Sequence, residues 1–252
     1  MNSPSVIAVA GPCGSGKTTW INQFLKIETA PFFYFYPDLD RSSVDLIRIG
    51  YSFPRTQVMS DLQAPQMFSS LPDGAIIYLE LDFPQPIEPL LPKALPCHHV
   101  ALLPPYLQDS AWHEWADEIV PGNKITIPNV TQPSERWHAP LQGQVFDPAS
   151  LEVVLTELIE GAYGDVDRLK GIFEMPDGQA LYIDFVAGLE GVEYTELNIP
   201  RWLEGRPDRW SGIEVIGNNL QPKIISETLL DGGLTDQIIA YYQQQYQALS
   251  PA

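Results

Sequence analysis

The stretch that most constrains this chain is Gly11-Pro12-Cys13-Gly14-Ser15-Gly16-Lys17-Thr18, which fits the spacing Gly-x-x-x-x-Gly-Lys-Ser/Thr in full. At average residue frequencies the pattern arises by chance in about one chain in a hundred of this length. Its context is the one the chemistry needs. An apolar run at residues 6–10 reads as a buried strand, and residues 17–25 read as a helix with Trp20, Ile21, Phe24 and Leu25 on one face. Glycines let the backbone curl so that several N–H groups converge on phosphate oxygens. The helix adds its N-terminal dipole. In such a loop Lys17 reaches the β- and γ-phosphates of a nucleotide and Thr18 ligates Mg²⁺. Gly11, Cys13, Gly14, Ser15, Gly16, Lys17 and Thr18 are therefore expected to cradle a nucleoside triphosphate, GTP or ATP, with Thr18 as the metal ligand.

The rest of the chain divides by pattern. Residues 32–36 form an aromatic strand candidate. Residues 75–81 form another, entered through Pro72-Asp73-Gly74. Seven prolines between Phe83 and Pro105 exclude a long helix there. The interleaved Leu90, Leu91 and Leu95 predict an ordered loop rather than an exposed Pro-x-x-Pro ligand. Residues 99–103 read as a strand. Residues 110–119 read as a helix carrying Trp112, Trp115 and Ile119, and the Pro-rich residues 121–146 read as a connection. Asp147-Pro148 begins a helix well, with Asp as N-cap and Pro at the first turn. Leu151, Val154, Leu155, Leu158 and Ile159 form its apolar face, and Gly161 closes it. Beyond Gly164 the period drops to two. Residues 168–175 and 179–186 flank Pro176-Asp177-Gly178 as a hairpin. Strands at 192–197 and 211–216 and helices at 221–230 and 235–247 follow, the last with Ile238, Ile239, Tyr242 and Tyr246 on one side.

The expected fold is α/β: a mostly parallel phosphate-loop sheet flanked by helices over residues 1–145, then an α+β domain with a small antiparallel sheet over 146–252. Charge differs between the halves. Residues 1–145 hold 8 basic and 14 acidic side chains, whereas 146–252 hold 6 and 18. A formal charge of -18 over 252 residues argues against nucleic acid or an anionic membrane as partner. No apolar run is long enough for a membrane helix, and Met1-Asn2-Ser3-Pro4 lacks the basic start of a secretory signal. With two cysteines and no disulfide framework, a cytoplasmic location is expected.

Three regions of the chain resemble the CobW-like P-loop GTPases, a family of metal-handling proteins. The residue 6–10 strand with its loop and Thr19 is one. Ala116-Asp117-Glu118-Ile119-Val120 followed by Asn123-Lys124 is similar to the family's Ala-Asp-x-Ile-Val strand and its guanine-binding Asn-Lys-x-Asp. Tyr163-Gly164-Asp165-Val166 with Arg168-Leu169-Lys170-Gly171-Ile172-Phe173, and Ile213-Glu214-Val215-Ile216-Gly217-Asn218-Asn219-Leu220, are similar to strands of the CobW C-terminal domain. The resemblance implies GTP-like binding, slow Mg²⁺-dependent hydrolysis, contacts from Thr19, Asn123 and Lys124 to the nucleotide, and a client protein docking on the C-terminal domain. The chain also departs from the family. Residues 37–75 lack its Cys-x-Cys-Cys metal motif. Phe83 replaces the glycine of Glu-x-x-Gly in Glu80-Leu81-Asp82-Phe83. Thr126 stands where an Asp would accept two hydrogen bonds from guanine. These departures suit a second reading, a scaffold that does not hydrolyse nucleotide. A small-molecule kinase shares the loop, with Arg41, Arg48 and Arg55 as its lid candidates.

Glu80 and Asp82 end a buried strand, where ligands gather in open parallel sheets. They are the expected catalytic acids beside Lys17. Asp38 and Asp40 follow the second strand and suit a switch contact or a solvated loop equally. Cys97-His98-His99 groups soft ligands, but adjacent strand residues point to opposite faces, which favours a half-buried strand start over a metal site. Tyr241, Tyr242 and Tyr246 fit a packed helix face better than a base-stacking platform.

Overall fold

The computed structural model describes residues 3–27, 30–37, 43–87, 89–125 and 134–249. Two compact units divide the chain, Met1–Ile127 and Pro128–Ala252.

The first unit is a six-stranded sheet in the order β3-β2-β4-β1-β5-β6. Its strands are β1 (Ser5–Ala10), β2 (Phe32–Phe35), β3 (Gln57–Met59), β4 (Ile76–Leu81), β5 (Cys97–Leu103) and β6 (Glu118–Pro121). Every pairing is parallel. Alternation along the strands divides the side chains into two cores. Ala8, Ala10, Phe33, Phe35, Ile77, Leu79 and Leu81 belong to one. Val9, Phe32, Tyr34, Tyr78, Val100 and Leu102 belong to the other, with Ile21 and Leu25 of α1 (Lys17–Leu25) and Leu46 and Ile49 of α2 (Val44–Ser52). Trp20 and Phe24 pack on the Tyr78 ring to close that side.

The first core is covered by α3 (Ala64–Phe68), by Trp112 and Trp115 of α4 (Ala111–Trp115), and by the proline-rich segment. Leu91 is buried, Leu90 and Leu95 are half-buried, and Trp115 Nε1 donates to the Gln85 carbonyl at 3.2 Å. The segment therefore serves as one wall of the core, as its leucines predict. The helix expected over 110–119 stops at Trp115. Ala116 turns extended, and the Asp117 N–H donates to the His99 carbonyl at 2.9 Å, so Glu118 and Ile119 enter β6 instead. Adding a parallel strand to an open edge satisfies these backbone groups better than a last helical turn in solvent.

The second unit is a five-stranded antiparallel sheet, β10-β9-β8-β11-β7. Its strands are β7 (Glu135–Pro140), β8 (Asp165–Glu174), β9 (Ala180–Val186), β10 (Val192–Glu196) and β11 (Gly212–Asn218). Strand β7 was not expected. Residues 135–140 lie in the stretch read as a connection, and their pairing with β11 puts the division between the units at residues 127 and 128, ahead of 145. Leu169, Phe173, Ile183, Ile213 and Val215 from one sheet face pack with Leu151, Val154, Leu155 and Leu158 of α5 (Pro148–Ile159) and Ile225 and Leu229 of α6 (Pro222–Asp231). Asp147 caps α5 by accepting from the Ser150 N–H at 3.1 Å.

The last helix, α7 (Asp236–Leu249), differs from its expected face. Tyr241 and Tyr242 are exposed, whereas Ile239 and Gln243 are buried. Gln243 clamps the 202–205 loop through the Gly205 N–H and the carbonyls of Gly205 and Trp202, and Arg201 stacks over the Tyr246 ring. No helix among the described residues is long and apolar enough to cross a membrane.

Candidate functional site

The glycine-rich loop joins β1 to α1 and folds back on itself. Gly14 and Gly16 adopt φ of 79° and 95°, the left-handed region that side chains resist. Gly11 has a different requirement: a Cβ there would stand 2.4 Å from the Leu102 carbonyl oxygen. The Ser15 N–H closes a turn onto the Pro12 carbonyl at 3.1 Å. Cys13 is exposed at the tip of this turn.

Lys17 is buried, 6% exposed, and its Nζ donates to the Gly11 carbonyl at 2.9 Å and the Pro12 carbonyl at 3.4 Å. The ammonium thus lies across the mouth of the loop, within reach of any anion bound there. Asp82 Oδ1 stands 3.6 Å from it. Thr18 Oγ1 donates to Glu80 Oε1 at 3.0 Å. This points the hydroxyl proton at the acid and leaves the oxygen lone pairs directed away from Glu80, as a metal ligand requires. The four side chains that the sequence assigns to chemistry, Lys17, Thr18, Glu80 and Asp82, are therefore brought together. β1 and β4 do this as direct neighbours, with Val9 opposite Glu80 and Ala10 opposite Leu81.

Asn123 arrives from the end of β6. Its Nδ2 donates to the Gly14 carbonyl at 2.8 Å, and its N–H donates to the Ser15 carbonyl at 3.1 Å. Gly122 permits the approach, because a Cβ on it would meet the Ser15 carbonyl oxygen at 2.7 Å. Asn123 thus braces the phosphate loop. Lys124 and Thr19 are exposed beside it. Thr126, Asp38, Asp40 and Arg41 lie outside the described residues.

Two functional side chains escaped the sequence reading. Tyr34 and Tyr36, in and just after β2, send their hydroxyls to Glu80 Oε2 and Asp82 Oδ2, each at 2.9 Å. Burial, and then the negative charges of Glu80 and Asp45, hold the Tyr34 phenol well above its ordinary pKa, so it stays a donor. The available signal was the spacing: tyrosines two apart on an aromatic strand point the same way, and a buried phenol needs a partner.

The residues present fit a nucleotide with a divalent cation: a loop turned by the left-handed Gly14 and Gly16, a buried lysine at its mouth, and a hydroxyl held by an acid. The soft cluster does not fit a metal. Among the described residues, no three His, Cys, Asp or Glu side chains converge on one point. Burial pushes the Cys97 thiol up to about 11, away from the thiolate form. His99 Nδ1 and His98 Nε2 instead pair with Asp117 at 3.0 Å and Glu118 at 3.3 Å across the strand pair. Hydrogen bonds from the His99 backbone and ring hold Asp117 below the usual carboxylate range.

Fold and site together define the class: a parallel α/β unit with a phosphate-binding loop, in one chain with a separate antiparallel α+β unit. Residues 141–232 match the family model described as the cobalamin synthesis protein cobW C-terminal domain. Residues 141–232, within the second unit, are thus similar to a CobW C-terminal domain. No curated protein matches the sequence. Two solved structures are similar in outline, the Zn(II)-bound YjiA GTPase from E. coli at 11% identity and a Zn(II)-bound triple mutant of YjiA GTPase at 13%. Each covers 93% of this chain and 100% of its own, with a TM-score of 0.34, too low to bear on the reading.

Proposed function

We propose that this protein binds a nucleoside triphosphate with Mg²⁺ on the Gly11–Thr18 loop, hydrolyses it slowly, and uses its CobW C-terminal domain to engage a client protein. The observation that carries the reading is the joint placement of Lys17 at the loop mouth and Thr18 on Glu80. Lys17 leaves the Gly11 and Pro12 carbonyls for the β- and γ-phosphate oxygens, exchanging neutral acceptors for charged ones. Backbone N–H groups of the loop and the first turn of α1 receive the remaining oxygens. A bound Mg²⁺ would neutralise charge developing on the phosphates. Thr18 would ligate it, and Glu80 orients Thr18. Asp82, part-exposed at the end of β4, is the side chain that would order an attacking water. The water oxygen bonds to the γ-phosphorus as the bond to the β–γ bridging oxygen breaks, and the water proton passes to phosphate or solvent.

Turnover is slow in this reading, because the sequence shows no arginine finger beside the phosphate loop. With Thr126 in place of the guanine-reading Asp, GTP and ATP bind with similar affinity. The test is calorimetry with GTP and ATP in Mg²⁺ for the wild type and Lys17→Ala. Wild-type binding that Lys17→Ala abolishes is expected. Absence of binding by either protein would sink the enzyme. Binding without phosphate release would favour the second reading, a non-hydrolysing scaffold, which the loss of the Glu-x-x-Gly glycine at Phe83 supports.

A further inference from the structure

Polar contacts at the proposed nucleotide site run along two parallel lines. Tyr34 OH donates to Glu80 Oε2 at 2.9 Å, and Glu80 Oε1 accepts from Thr18 Oγ1 at 3.0 Å. Tyr36 OH donates to Asp82 Oδ2 at 2.9 Å, and Asp82 Oδ1 faces Lys17 Nζ at 3.6 Å. Each phenol reaches diagonally. Tyr34 stands opposite Tyr78 in the register, and its hydroxyl meets the acid two residues further along β4. One line ends on the metal-ligating hydroxyl, the other on the phosphate-binding ammonium.

Packing alone does not call for a hydroxyl at position 34. Its ring is fully buried beside Val9, Ile21, Leu46 and Ile49, where phenylalanine would fill the same space. A buried hydroxyl costs free energy unless it is hydrogen-bonded, and here its partner is a carboxylate that is itself 4% exposed. The terminal torsion of a glutamate is broad and two-fold, so a Glu80 that lacks the Tyr34 bond turns away from Thr18 more readily. Anchoring Oε2 on Tyr34 leaves Oε1 presented to Thr18. The Thr18 O–H then stays directed at Glu80, and the Thr18 oxygen lone pairs stay available to a hard cation that takes oxygen ligands.

We propose that Tyr34 is a positioning residue for the divalent cation of the phosphate loop, acting through Glu80 on Thr18, while Tyr36 serves the Lys17 line and has no part in cation binding. The proposal rests on the nucleotide reading above. Its test is calorimetric titration of GTP into wild type, Tyr34→Phe and Tyr36→Phe, each in Mg²⁺ and in EDTA. Tyr34→Phe is expected to weaken binding about tenfold in Mg²⁺, the loss of about one well-placed hydrogen bond, and to bind as wild type in EDTA. Tyr36→Phe shifts both media by the same factor. A double-mutant cycle with Thr18→Ala adds a second readout: on one line, Tyr34→Phe has no further effect once Thr18 is gone. Equal loss in both media for Tyr34→Phe, or additive effects in the cycle, overturns the proposal while leaving nucleotide binding intact. A wild type that binds in neither medium removes the nucleotide reading, and the proposal with it.

Discussion

The two units bury charge for different ends. In the first, two of the buried charged groups, Lys17 and Glu80, converge with Asp82 on one loop, and Lys17 is held by backbone carbonyls and a part-exposed acid. In the second, all seven basic side chains are paired with carboxylates of the same unit: Arg136 and Lys170 with Glu214, Arg168 with Asp184, Arg201 with Asp177, Arg206 with Asp236, Arg209 with Glu174 and Lys223 with Glu227. Nineteen acids share those seven cations, so this unit carries -12 of the chain's net charge of -18. The lesson is one of exchange. A lysine held by neutral carbonyls can be drawn to an incoming anion, whereas an arginine locked onto a buried glutamate is committed to the fold.

The sharpest test of that contrast is Arg209→Ala. Glu174 is 0% exposed and takes a bidentate contact from Arg209 at 2.6 Å, so removing the guanidinium strands a buried charge. We expect the second unit to lose about 3–5 kcal/mol in denaturant unfolding at neutral pH. Burial already holds the Glu174 pKa above its ordinary value, with Arg209 pulling it down. A raised folded-state pKa contributes stability that is full below the unfolded value and lost as pH rises through the folded one. The deficit of Arg209→Ala should therefore shrink as pH falls into the range where Glu174 is protonated. A deficit that does not change with pH would mean that lost packing, not the stranded charge, sets the cost.

Lys17→Ala should break function without breaking the fold: at least a hundredfold loss of nucleotide affinity, about 2.7 kcal/mol, with unfolding of the first unit unchanged or raised. If it destabilises the first unit as Arg209→Ala destabilises the second, the contrast falls. Asp147→Ala removes the α5 cap and should cost about 1 kcal/mol by thermal or urea unfolding. The smallest effect is expected at Lys223, which faces Glu227 one turn along α6 at 3.9 Å with both side chains exposed. Lys223→Ala should stay within about 0.5 kcal/mol of wild type, measured the same way. A larger change there would show that the surface pairs also hold the fold.

The site was legible in part. The loop glycines, Lys17 and Thr18 are readable because the phosphate geometry needs those residue types at that spacing, and Glu80 and Asp82 because they end a buried run. Tyr34 and Tyr36 were not, since an aromatic strand reads as core until its neighbour is known. Asn123 could be placed near the nucleotide from the resemblance, but its bond to the Gly14 carbonyl spans 109 residues and depends on β6 joining the sheet. In the second unit the hairpin at 168–186, the α5 cap and the apolar face of α5 followed from local pattern. Strand β7 did not. Its alternation is short, Trp137 and Ala139 half-buried between exposed Arg136, His138 and Pro140, and pairing with β11 makes it a strand.

What the sequence determined by itself is the phosphate loop and the excess of acid, because the one is a local backbone requirement and the other a count. The partners were decided by tertiary structure. The order β2-β4-β1 puts Tyr34 beside Glu80 and Glu80 beside Thr18, and the tertiary fold of the second unit gives every cation but Lys223 its acid. Sheet neighbours are chosen by crossovers tens of residues long, and no short-range pattern records which strand a crossover brings alongside.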